Sequence, residues 1–172
     1  YACAQKNAGI AGVTVAIIRR DLLARSREDL PAMLDYRTFV EKGSRPNTPP
    51  VFAVYILGLV CEWLMNEVGG LNAILERNTA KATKVYGVID SSSGFYKGHA
   101  CPASRSLMNV TFRLPSEDLE ATFAKNAASE GLTDLKGHRS VGGIRASIYN
   151  AMPEEGVEAL CQFMNDFKSS HG

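Results

Sequence analysis

The sequence predicts an α/β fold, on three observations. The apolar run Val13-Thr14-Val15-Ala16-Ile17-Ile18 reads as a strand. Residues 50–67 and 70–89 are helical stretches, the first apolar nearly all round and the second along one face. From residue 105 onward, the order strand, helix, strand, strand, helix describes a compact α/β layer. With 172 residues, 45% of them hydrophobic, there is chain enough for a sizeable core in one domain or two small ones.

In chain order, Val13 to Arg19 is expected to be a strand buried on both faces. A short helical turn follows from Arg20 to Arg25, and the charges from Arg19 to Asp29 form a solvated face. Leu30 to Lys42 is irregular, with Met33 to Tyr36 as a short extended piece. Gly43 to Pro50 is a loop. Thr48 is expected as the N-cap of the next helix and Pro49 as its first residue. That helix runs from about Pro50 to Glu67 and stops at Gly69-Gly70. Its apolar circumference calls for protein on most sides, in part a second subunit. The window Val51 to Met65, with Glu62 discounted, falls short of the roughly 20 to 25 residues of a long spanning helix. It is expected to be a buried helix, with no membrane involved.

In the second helix, Leu71, Ile74, Leu75, Ala82, Val85 and Tyr86 form the inner face, and Glu76, Arg77, Lys81 and Lys84 the outer. Asp90 to Gly94 is a turn. Arg105 to Leu114 alternates as a strand does. Pro115 to Asp118 opens a helix whose first-turn acids oppose the dipole, and it continues to Gly131. Leu132 to Lys136 and Ile144 to Tyr149 read as strands on either side of the loop Gly137 to Gly143. Pro153 opens the last helix, with Val157, Leu160, Cys161, Met164 and Phe167 facing inward.

A formal charge of +1 gives no global reason for binding nucleic acid or an anionic membrane. Cys3, Cys61, Cys101 and Cys161 form no Cys-x-x-Cys pair, which argues for free buried thiols in a reduced, cytoplasmic compartment. His99 and Cys101 lack a second pair, so no metal site is expected. Gln5, Lys6 and Asn7 break any secretory pattern at the amino-terminal end. Because Tyr1 leads directly into a core strand, the chain is expected to be a fragment.

Three groups remain as candidates for chemistry. Gln5-Lys6 occupies a glycine-flanked turn before the first strand, where an amine on a short leash and partly desolvated could attack a carbonyl. Asn47-Thr48 borders a helix start, a natural anion site. Lys136, His138, Arg139 and Arg145 surround a Gly-Gly turn, and arginine suits carboxylate or phosphate. Each also has an ordinary reading: a surface lysine, a capped helix, a solvated basic hairpin. Together they suggest a ligand with a carbonyl and several negative charges.

The motifs Tyr1-Ala2-Cys3-Ala4-Gln5-Lys6-Asn7, Asn47-Thr48-Pro49-Pro50, Lys136-Gly137-His138-Arg139-Ser140-Val141-Gly142-Gly143-Ile144-Arg145 and Tyr149-Asn150-Ala151-Met152-Pro153 resemble the phosphoserine aminotransferases, of the class V aminotransferase family. The resemblance runs in order over essentially the whole chain and corresponds to the carboxy-terminal half of the family's length. It implies the end of the large domain (1–70) and the small α/β domain (71–172) of a fold-type I, pyridoxal-phosphate-dependent transferase. The implied reaction moves an amino group between glutamate and 3-phosphohydroxypyruvate in serine biosynthesis, in a cytoplasmic homodimer. By position, Lys6 matches the lysine that bonds to the cofactor and shuttles a proton, and Gln5 matches a cofactor contact. Asn47 and Thr48 match the pair reaching the cofactor phosphate across the dimer. Arg145 matches the arginine that takes the substrate α-carboxylate. His138 and Arg139 match the pair that holds the distal anionic group, again across the dimer. Cys3 departs from the family's usual glycine. Absent from this stretch are the ring that stacks on the cofactor, the aspartate that pairs with its nitrogen, most phosphate ligands and a second His-Arg pair. The 172-residue piece alone is therefore expected to be inactive, complete only with an amino-terminal half. The alternative is a truncated module that binds or dimerises without catalysing.

Overall fold

The structure is a computed structural model that describes residues 1–172. It divides into two units, Tyr1–Val68 and Gly69–Gly172. In the first, β1 (Ala2–Cys3) pairs antiparallel with β2 (Thr14–Val15), Ala2 opposite Val15 and Cys3 opposite Thr14. The helices are α1 (Arg20–Leu23), α2 (Tyr36–Glu41) and α3 (Val51–Trp63), which runs into a π-helical turn, Leu64–Val68.

The expected strand from Val13 to Arg19 is reduced to two residues, and neither is buried. A strand is buried on both faces only between neighbouring strands and covering helices. Within this chain its sole partner is the two-residue β1, so Ile17 is 93% exposed. The stretch from Leu30 to Lys42 is more ordered than its prolines suggest. A 3₁₀ turn, Ala32–Leu34, occupies the piece expected to be extended, and α2 follows it. Asp35 explains the change. Buried at the start of α2, it accepts the Arg37 backbone N–H at 3.0 Å and pairs with the Arg37 guanidinium at 2.8 Å.

The helix α3 starts at Val51, with Pro50 rather than Thr48 at its cap and no side-chain cap bond. This chain by itself does not enclose the helix: Phe52, Tyr55 and Met65 are exposed, and of α3 only Ala53 is buried. Together with the π turn, Val51–Val68 forms an 18-residue stretch of mean hydropathy 1.6, long enough by length and composition to cross a bilayer. The stretch is three residues longer than the window read from the sequence, and Glu62 and Glu67 interrupt it.

The second unit holds α4 (Gly70–Asp90), β3 (Lys97–Gly98), β4 (Asn109–Arg113), α5 (Glu117–Ser129), β5 (Ile144–Ser147) and α6 (Glu154–His171). The sheet is antiparallel in the order β3-β4-β5. Alternation along β4 and β5 sends Val110, Phe112, Ile144 and Ala146 into the core. The opposite face carries Asn109, Thr111 and Arg113 beside Arg145 and Ser147. On the core side Phe123 lies edge-on to Phe112 and Phe163, and Tyr96 donates its hydroxyl to the Met164 carbonyl at 2.7 Å. Ser116 caps α5 by accepting the Leu119 N–H at 3.2 Å.

Several expectations about this unit change. Lys81, assigned to the outer face of α4, is 2% exposed, whereas Leu71 and Leu75 are exposed. Lys97–Gly98 forms a strand that its sequence did not announce. The expected strand from Leu132 to Lys136 shrinks to one bridge, Lys136 to Ile144, because Asp134 takes a positive φ and breaks the extended run. The four cysteines are free, but Cys3, Cys61 and Cys101 are exposed rather than buried.

Candidate functional site

The lysine turn is built by the β1–β2 hairpin. Ala4 is buried and donates its N–H to the Val13 carbonyl at 3.0 Å. The chain then folds back at once: the Lys6 N–H reaches the Ala4 carbonyl at 2.6 Å, and the Gly9 N–H reaches the Lys6 carbonyl at 3.4 Å. Gly9, at φ +141°, lies so close to Ile56 of α3 that a Cβ would stand 3.3 Å from its Cγ2. The turn is therefore fixed at its base by the hairpin and against α3 by a glycine contact. Gln5 and Lys6 are exposed at its apex.

Asn47 and Thr48 are exposed, and Asn47 Nδ2 donates to the Thr48 carbonyl at 3.0 Å. The first helical residue is Val51, so the pair precedes the helix start rather than forming it. Asn47 lines a cavity of about 580 Å³ whose walls include Gly12, Thr14, Tyr36, Pro50 and Val54; Gln5, Lys6 and Thr48 are not on its lining. Of the Asn47–Thr48 pair, that cavity therefore takes in Asn47 alone.

In the second unit the basic residues sit at one end of the sheet. Gly137 donates its N–H to the Gly143 carbonyl at 2.8 Å, which closes the loop between them. A Cβ on Gly137 would lie 2.0 Å from the Gly142 oxygen, so only glycine fits. Inside the loop the His138 carbonyl accepts the N–H groups of Val141 at 2.9 Å and Gly142 at 2.8 Å. His138 Nδ1 accepts the Ser140 N–H at 3.2 Å and lies 2.7 Å from the Ser140 hydroxyl. A backbone N–H can only donate, so in the neutral ring the hydrogen resides on Nε2. His138 and Arg139 are both exposed.

Arg145 stands in the middle of β5, opposite Thr111, with its backbone N–H on the Leu135 carbonyl at 2.7 Å. Its Nε is buried and has no hydrogen-bond acceptor. A buried guanidinium N–H without a partner is costly, and a carboxylate is its best-matched acceptor. Reading single residues by type missed the supports of this end of the sheet, Arg113 and Glu120. Their sole sequence signal is a charge of each sign, one at the end of a strand and one in the first turn of the helix after it.

The family model for class-V aminotransferases matches residues 1–160. A phosphoserine aminotransferase of Rhodopirellula baltica is 56% identical over 171 residues, 99% of this chain and 46% of that protein. Among solved structures, the phosphoserine aminotransferase from Bacillus circulans subsp. alkalophilus superimposes with a TM-score of 0.94 at 54% identity, over 98% of this chain and 46% of that one. A phosphoserine aminotransferase from Trichomonas vaginalis, described as PLP-bound, gives 0.88 at 44% identity, over 95% and 46%. The chain spans about half the length of the relatives it matches.

Proposed function

The chain belongs to the class-V aminotransferase family, and from that premise we propose that it forms the lysine-bearing half of a phosphoserine aminotransferase. The complete enzyme would move an amino group from glutamate, leaving 2-oxoglutarate, onto 3-phosphohydroxypyruvate, giving O-phosphoserine. The observation that carries the reading is the unpartnered, buried Nε of Arg145, set on the polar face of the sheet where a substrate carboxylate would satisfy it.

The residues present fit pyridoxal phosphate by the chemistry of their donor set. Lys6 offers a primary amine to an aldehyde, with Gln5 beside it, and Asn47 and Thr48 offer an amide and a hydroxyl to a phosphate ester. When bound, that cofactor supplies the electron-withdrawing ring that makes the substrate Cα proton acidic. Lys6 would be the base that carries that proton away from Cα and returns it elsewhere. Arg145 grips the α-carboxylate in two-pronged fashion and fixes which bond at Cα is presented. His138 and Arg139 hold the distal phosphate or γ-carboxylate, His138 through Nε2–H. The exposed Asn47–Thr48 pair is free to reach the cofactor phosphate of a second copy, in a site completed across a homodimer. The exposure of Phe52 and Tyr55 leaves α3 an apolar face for the amino-terminal half or a second copy, and Glu62 and Glu67 weigh against a bilayer. The cytoplasm is the proposed compartment.

The test is reconstitution with the amino-terminal half and pyridoxal phosphate. Borohydride should then fix the cofactor to the peptide containing Lys6, and Lys6→Ala should lower transamination by about 10²–10⁴-fold. A Lys6→Ala protein with undiminished transamination would overturn the reading.

A further inference from the structure

The loop carrying His138 and Arg139 is fastened from outside by a charged pair on β4 and α5. Glu120 is buried, and its two oxygens are met by three donors. Oε1 accepts the Arg113 Nε–H and, at 3.3 Å, the Leu114 backbone N–H. Oε2 accepts the Gly143 N–H at 3.1 Å. Arg113 spends another arm on the same loop: its Nη1 donates to the Val141 carbonyl at 2.9 Å. The guanidinium stem also lies flat on the glycine pair. A Cβ on Gly143 would come within 2.7 Å of Arg113 Cδ, and one on Gly142 within 3.3 Å of Nη1.

We propose that Glu120 and Arg113 are positioning residues for the distal end of the substrate, a buckle that holds the 137–143 loop closed and so sets where His138 and Arg139 present their N–H groups. This rests on the assignment of His138 and Arg139 to the distal anionic group. Neither positioning residue touches substrate. Carboxylate chemistry is required at position 120, because both oxygens face N–H donors and a glutamine amide would set its own N–H₂ against one of them. Arginine is required at 113, because one planar group must reach Glu120 through Nε and Val141 through Nη1 together. Loosening the buckle releases the loop while Arg145, held in the β4–β5 ladder, stays in place. The binding of the distal group should therefore suffer more than the chemistry at Cα.

The experiment uses the full-length holoenzyme that contains this segment, as parent, Glu120→Gln, Arg113→Met and His138→Ala. Amide exchange is followed at Val141, Gly142 and Gly143, with α6 as the folding reference, alongside KM and kcat for the phosphorylated keto acid. The expected result is exchange at the loop amides faster by about tenfold or more in Glu120→Gln and Arg113→Met, with α6 unchanged. The same variants should raise KM by about tenfold while kcat stays within about twofold. Should Glu120→Gln fail to fold, Arg113→Met carries the test, since its side chain is 38% exposed. Loop exchange at the parent rate overturns the buckle. Faster loop exchange with parent KM, when His138→Ala does raise KM, overturns the positioning role. Parent KM in His138→Ala overturns the substrate assignment and the proposal with it.

Discussion

Lys81 Nζ donates to the carbonyl oxygen of Tyr149 at 2.7 Å, joining the middle of α4 to the turn that leads from β5 into α6. The same ammonium reaches the Met152 carbonyl at 3.0 Å and the Ile148 carbonyl at 3.4 Å. A buried lysine is tolerated only when its N–H groups are satisfied, and here three carbonyls converge on it. Its neighbour one turn earlier, Asn78, adds a bond to Asn150 at 2.8 Å.

Replacing Lys81 by methionine keeps the stem and removes the donor, leaving the carbonyls of a tight turn short of a partner. The expected loss is about 2–3 kcal/mol in urea or guanidinium unfolding at neutral pH. Burial pushes the Lys81 pKa below its ordinary value, opposed by the nearby Glu154. The unfolded chain then binds the proton more tightly than the folded one. Stability from this residue therefore rises as pH climbs from the folded pKa toward the unfolded value near 10.4. In Lys81→Met that alkaline rise should be missing.

Lys81 also marks where the sequence could be read and where it could not. The long helices α4, α5 and α6, the cap at Ser116 and the inner face of α6 follow from local rules that their own residues satisfy. A lysine between Ala80 and Ala82 gives no local sign that three carbonyls some seventy residues away will take its charge. Val13 to Arg19 failed for the converse reason. Its composition is that of a strand, but a strand exists only with partners, and this chain offers two residues of one. At the candidate site, residue types picked out His138, Arg139 and Arg145, whereas Glu120 and Arg113 act through tertiary contacts that residue type does not disclose.

Gly137→Ala tests how tightly the basic loop is closed. The added methyl would collide with the Gly142 and Gly143 backbone, and backbone cannot swing aside as a flexible side chain can. The loop should open at its base at a cost of about 1–3 kcal/mol, within the range for overpacked sites. Arg139 then becomes a better protease target, so trypsin should cut after it several-fold faster than in the parent, with cutting at Lys125 as the internal reference. Equal rates would mean that the Gly137–Gly143 closure contributes nothing to the order of the loop.

Asp90 and Arg105 form a two-pronged pair at 2.6 and 2.7 Å, and the arginine lies over the Tyr86 ring, 4.4 Å from its centroid. Arg105 holds the Asp90 carboxyl below its ordinary pKa. A depressed carboxyl contributes stability that is fully present above the unfolded value near 3.9 and is lost as pH falls through the folded value. Asp90→Asn should therefore unfold at lower denaturant than the parent at pH 7, and the two midpoints should converge as pH falls below the folded pKa of Asp90. The aspartate side chain is 55% exposed, so the neutral-pH gap will be small. A gap that persists at acid pH would show that the contact works through shape rather than charge.

The thiols should differ in reactivity, and the order follows from their surroundings. Cys101 is exposed, and a hydrogen bond from Ser104, with backbone N–H groups behind it, lowers its pKa. Cys161, half-buried on α6, has its pKa raised by burial, partly offset by Lys84. The thiolate is the nucleophile, so both thiolate fraction and access favour Cys101. Limiting iodoacetamide on this chain should label the Cys101 peptide faster than the Cys161 peptide by roughly tenfold or more, read by mass spectrometry. Ser104→Ala removes the hydroxyl while leaving Cys101 exposed, so it should narrow the ratio by slowing Cys101 alone. Were Cys161 to react as fast as Cys101, the α6 face that covers it would have to open readily, and exchange at the α6 amides would have to be correspondingly fast.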